Sequence, residues 1–259
     1  MIAYVNSATP SSYDDLKDDR NTARRADKAI RIIATALDAV GSAGSAQAAA
    51  TATRVFPLAF GWFAAVVRNG QLVALAHKNG LRHECSANAR LVMQHTVALQ
   101  WVIEGGDLAV NAVEADGRRR AFDLVKELTD TEWPIPEGFT MQPGARPPKS
   151  GTLEHQFDNF KAMCALYDGG PQMYVPYKVE SANAHPSYVG AMAYIVPETG
   201  EPSATAVTDT YAYLIDTTRC VIQAGHAFAP LLANTALAEA VHRAEAALGA
   251  RFVLWERLR

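Results

Sequence analysis

A chain of 259 residues with 49% hydrophobic and 20% charged residues is long enough for one sizeable core and too apolar to remain disordered. The net charge of -3 is spread evenly, with basic against acidic residues at 7 and 6 over 1–60, 8 and 8 over 61–130, 4 and 7 over 131–200, and 5 and 6 thereafter. No segment therefore forms the basic arm that binding through nucleic-acid phosphates uses, and Arg118-Arg119-Arg120 reads as a solvated helix face.

The chain opens with Ser12 and Asp15, a weak capping box that predicts a helix start there. Leu16, Ala23, Ala26, Ile30, Ile33, Leu37 and Val40 then lie on one apolar stripe, ended by Gly41 and Gly44. Residues 42–53 are a connector of small residues. From Phe56 to Lys78 the chain is apolar almost all round, which predicts a buried, central helix capped by Asn79-Gly80. Its polar centre, Arg68-Asn69-Gly70-Gln71, argues against a membrane span. A second buried helix is expected over His83 to Glu104, with Ala87, Leu91, Ala98, Leu99, Val102 and Ile103 on one side and Gly105-Gly106-Asp107 closing it.

Leu108 to Leu128 is helical in composition, with a weak point at Gly117. Pro134, Pro136, Pro143, Pro147 and Pro148 make 129–151 a long Pro-rich loop, expected to be mobile and protease-sensitive. Further helices are expected over Leu153 to Tyr167, over Tyr177 to Ile195 with a break at His185-Pro186, and over Thr208 to Leu248 with a kink at Pro230. Phe252 to Leu258 reads as an amphipathic tail. The whole, 1–259, is expected to be a single all-α domain, a bundle of about seven helices.

Cys85, Cys164 and Cys220, odd in number and far apart, point to reduced thiols, and the N-terminal residues lack a secretory pattern, so a cytoplasmic location is expected. The chain has no Cys-x-x-Cys, no His-Glu-x-x-His, no glycine-rich phosphate loop and no Gly-x-Ser-x-Gly elbow. Zinc, dinucleotide, P-loop and serine-hydrolase chemistries have no support, and no metal or cofactor is expected.

What remains are Arg and His residues on helices that read as buried, where an unpartnered guanidinium is costly. Arg90 shares a helix face with His83, Val97 and Glu104, and His95 lies about 140° round from it. Arg90 is expected to be buried and paired with Glu104, Glu84 or Glu180. His185-Pro186-Ser187 interrupts a helix just after Tyr177, Glu180 and Asn183, a denser polar cluster than packing needs, although Ser187 also suits an N-cap. Arg219 and His226 are seven apart and fall on one helix face, a spacing that suits metal-free RNA cleavage with His as acid or base.

The stretch from Ala87 to Glu104, with Tyr177 and His185-Pro186-Ser187 downstream, resembles a loose family of bacterial all-helical proteins of unknown function, over about residues 60–235. His95 stands where that family often has an acidic residue. The resemblance implies a binding or regulatory accessory protein, with Arg90, His95, Tyr177, His185 and Ser187 around an inter-helix pocket for a small polar ligand or a partner protein. The spacings Arg90 to His95 and Arg219 to His226 also resemble the Arg-x4–6-His pattern of HEPN domains, which implies a dimeric, metal-independent ribonuclease using Arg219 and His226, with RNA as substrate.

Overall fold

The computed structural model describes residues 16–42, 54–134, 146–149, 151–207 and 211–258. Of these, 72% are helical. Among the described residues the only extended pairing is two isolated antiparallel bridges, Tyr167 with Arg257 and Ile195 with Pro202. The fold is all-α. The expected start at Ser12 and Asp15, the connector over 43–53 and most of the Pro-rich loop (135–145 and 150) lie outside the described residues.

Helix α1 (Arg20–Ser42) starts later than the capping box at Ser12 suggested, because Asp19 supplies the cap: its Oδ1 accepts from the Thr22 amide at 2.8 Å. That hydrogen bond holds the Asp19 carboxyl below its ordinary pKa. The stripe expected from the sequence is the buried face, with Ala26, Ile30 and Ile33 fully enclosed. Each such isoleucine stabilises the fold by about 1.5–3 kcal/mol.

Helix α2 (Val55–Lys78) ends at Asn79, followed by Gly80 at φ +74, the left-handed position a glycine accepts without strain. It packs on α1, α3 (Ser86–Asp130) and α8 (Ala212–Phe228). It is not apolar-buried all round, since Leu72 and Leu75 face outward. By length and composition α2 would also pass as a membrane span, yet Phe63, Val66 and Val67 are enclosed in the core, and Arg68 is held by Gln71 and Asp38. The central element is α8, in which 14 of 17 residues are buried and which touches α1, α2, α3, α6 and α9.

The close that was expected at Gly105-Gly106-Asp107 is a kink inside α3, where Gly106 takes φ 57 and ψ -144. The helix then passes Gly117 without a break and runs to Asp130, so the loop expected from residue 129 starts two residues later. Ala98, Leu99 and Val102 are buried as expected, whereas Ala87 and Leu91 are exposed.

The helix expected over Leu153 to Tyr167 is two: α4 (Thr152–Asp158) and α5 (Phe160–Cys164), parted at Asn159, whose side chain caps the Ala162 amide. The His185-Pro186 break likewise separates α6 (Gly170–Ala184) from α7 (Tyr188–Met192). Pro230 lies in a 3-10 turn, Ala229–Leu231, between α8 and α9 (Ala236–Leu248). These interruptions give nine α-helices among the described residues where about seven were expected. The C-terminal tail is not helical. It buries Phe252 and Trp255 and bonds back to the end of α5, with Asp168 N donating to Glu256 O and Leu258 N to Leu166 O.

Helices α8 and α9 approach closely because Gly225 faces Val241: a Cβ at Gly225 would stand 2.5 Å from Val241 Cγ2. Buried residues of α1, α2, α3, α5, α6, α8, α9 and the tail join in one hydrophobic cluster. Arg119, read from sequence as solvated, is 1% exposed and bound to Glu154 of α4 and to Asp116. Its neighbour Arg120 pairs with Asp116 from the outside.

Candidate ligand-binding site

Helix α6 presents two different faces. Tyr177 turns toward α3 and α5, its ring 4.2 Å from that of Phe160 and 5.4 Å from the Arg90 guanidinium. Arg90 Nη1 donates to His185 Nε2 at 3.0 Å. Arg90, Tyr177 and His185 are thus brought together, 95 residues apart at the extremes. Two parts of the expectation fail: Arg90 is only half-buried, and its partners are an imidazole and an aromatic face in place of a carboxylate. Glu104 instead accepts from Gln100 and Tyr167, Glu84 from Tyr194, and Glu180 from Ser86.

Ser187 is the N-cap of α7. Its hydroxyl oxygen accepts from the Gly190 amide at 2.9 Å and its proton goes to the Ala182 carbonyl at 2.6 Å. His95 donates Nδ1–H to the Leu91 carbonyl one turn back and lines none of the cavities described below.

The other face of α6, with Gln172, Val175, Pro176, Val179, Glu180 and Asn183 at helical spacing, walls a cavity of about 950 Å³. Tyr188, Val189 and Met192 of α7 form the opposite lip, and Asp216 and Arg219 of α8 the floor, with Arg82, His83 and Ser86 at the start of α3. The lip is apolar and open to solvent, Val175 being 63% and Tyr188 79% exposed. The floor is charged and enclosed. Arg219 is 5% exposed with Asp216 Oδ1 3.9 Å from its Nη1. Burial raises the pKa of the Glu180 carboxyl, Asp216 adds to the rise, and a hydrogen bond from Ser86 opposes it. Glu180 therefore takes up a proton more readily than a free carboxyl does.

His185 and Ser187 border a neighbouring hollow of about 670 Å³ that shares His83, Ser86 and Asn183 with the first. Arg219 and His226, by contrast, serve different neighbourhoods. His226 Nε2 lies 2.9 Å from Glu245 Oε1 on α9, and the same carboxylate takes His242 and the Phe252 amide. Helical spacing put the two residues on one side of α8, but the bundle covers that side with different helices at each level.

Asp216 and Arg82 were missed from sequence. The signals available were the i, i+3 pair Asp216 and Arg219 and the Arg82-His83 dipeptide three residues before Ser86. The three cysteines are buried free thiols, each with its pKa pushed up to about 12 chiefly by burial. Comparison of this chain with protein-family models, with curated proteins and with solved structures finds no match.

Proposed function

We propose that the protein is a single-domain helical binding protein, regulatory or accessory in role and cytoplasmic, that takes an amphipathic small molecule between α6, α7 and α8. The observation that carries this reading is the cavity of about 950 Å³ with an apolar lip and an enclosed polar floor. Its size falls in the range of small-molecule sites, and a few convergent polar groups on an otherwise apolar lining are what fixes a ligand's orientation. Val175, Val179, Val189 and Met192 would take the apolar body, and Glu180, Asp216 and Arg219 the polar head. The neighbouring hollow beside His185 shares His83, Ser86 and Asn183 with this cavity.

Native mass spectrometry of protein purified without detergent tests the reading. Bound small molecule is expected on the parent and is expelled by Val179→Trp, a substitution on the open lip that the fold tolerates. The reading fails if no molecule is carried and no member of a panel of medium-chain carboxylic acids, amides and amines raises the melting temperature.

A further inference from the structure

A smaller cavity of about 380 Å³ opens between the first turns of α1 and the end of α2. Its lining concentrates cations: Arg20 and Arg24 from α1, His77 and Lys78 from α2, and Arg82 from the turn beyond. The carboxylates near them are engaged. Asp27 holds both Lys78, at 2.9 Å, and Arg31, and Asp18 accepts from the Tyr211 amide at 2.5 Å. Arg20 and Arg24 form no ion pair among the described residues.

Among the described residues, Arg20, Arg24, Lys78 and Arg82 bring four permanent cations to a space wide enough for a small ligand, which Asp27 also lines. Guanidinium forks suit the tetrahedral oxygens of a phosphoryl group. Tyr211 closes one side, with the Arg82 guanidinium 5.0 Å above its ring. We propose that this cleft is a second binding site, for a phosphate dianion, free or as a phosphomonoester, held by Arg20 and Arg24 with Arg82 and Lys78.

His77 supplies a reporter within the cleft. Burial, and after it the Arg82 charge, lower its pKa, while Asp18 and Asp27 act the other way. A bound dianion adds to the second group, so His77 must titrate at higher pH when the site is filled.

Inorganic phosphate and glycerol phosphate are titrated separately into the full chain by calorimetry at constant chloride, with the His77 ring followed by NMR. Saturable binding is expected, with a rise in the His77 pKa. Both Arg20 and Arg24 are exposed in the first turns of α1, so Arg20→Gln and Arg24→Gln keep the fold, and each weakens binding about tenfold. Arg24→Lys retains part of it. Tighter binding of the ester identifies a phosphomonoester site, and equal or tighter binding of inorganic phosphate a free-phosphate site. The proposal is overturned if neither ligand saturates by about 10 mM, a range that covers millimolar affinity. It is equally overturned if the double glutamine variant binds as the parent does. Val179→Trp leaves phosphate binding unchanged, so this test is independent of the α6–α7–α8 cavity.

Discussion

Arg90 and His185 form a hydrogen bond that fixes the chemistry of both, Nη1 to Nε2 at 3.0 Å. A guanidinium only donates, so Nε2 accepts and the imidazole proton in this arrangement sits on Nδ1. The pair ties α3 to the break between α6 and α7, with Tyr177 covering the guanidinium. It holds in place the helix whose opposite face walls the large cavity.

The Arg90 contacts are to neutral groups on a half-buried side chain, so removing them strands no charge. Arg90→Ala is expected to cost about 1–2 kcal/mol, well under the 3–5 typical of breaking a buried ion pair. A double-mutant cycle with His185→Ala in urea should return a coupling of about 0.5–1.5 kcal/mol. Zero coupling would show that the bond contributes nothing to stability.

The costly arginine is Arg119. Its guanidinium joins α3 to α4 through Glu154 and Asp116, each no more than 6% exposed. Arg119→Met takes the Arg119 charge from buried Glu154, while Asp116 keeps Arg120, and should lower stability by about 3–5 kcal/mol, read from the urea midpoint. A loss under about 1 kcal/mol would mean that water reaches Glu154.

Glu245 makes stability sensitive to acid. Burial pushes its carboxyl up, but hydrogen bonds from His226, the Phe252 amide and His242, with the His226 charge, outweigh that and hold it below its ordinary value of 4.5. A carboxyl whose pKa is depressed in the fold adds stability above the unfolded value, and that contribution is lost as pH falls through the folded one. The urea midpoint of the parent should therefore drop steeply below about pH 4.5. Glu245→Gln should be less stable at neutral pH and show a shallower drop; identical profiles would remove Glu245 from the acid response.

The ribonuclease reading is tested directly by incubating the protein with labelled RNA in EDTA. Arg219 faces the large cavity beside Asp216, and His226 is engaged by Glu245, so no cleavage is expected. Cleavage that His226→Ala abolishes would restore that reading.

Local sequence carried the helical class, because apolar period and glycine caps act within one or two turns. The stripe from Ala23 to Leu37, the Gly80 cap and the break at His185-Pro186 all follow from residues close together in the chain. Of Arg90, His95, Tyr177, His185 and Ser187, grouped around one pocket from the sequence, the fold brings Arg90 against Tyr177 and His185, while neither Arg90 nor Tyr177 lines a cavity described above. Tertiary structure decided which residues are enclosed, since burial depends on what another helix places opposite. Arg119 sits in a run of three arginines, and only the approach of Glu154 from α4 takes it inside. Arg219 and His226 share a side of α8 by period, yet the first meets the cavity and the second meets α9. Both cavities proposed as binding sites lie between elements distant in the chain, so neither leaves a contiguous motif in the sequence.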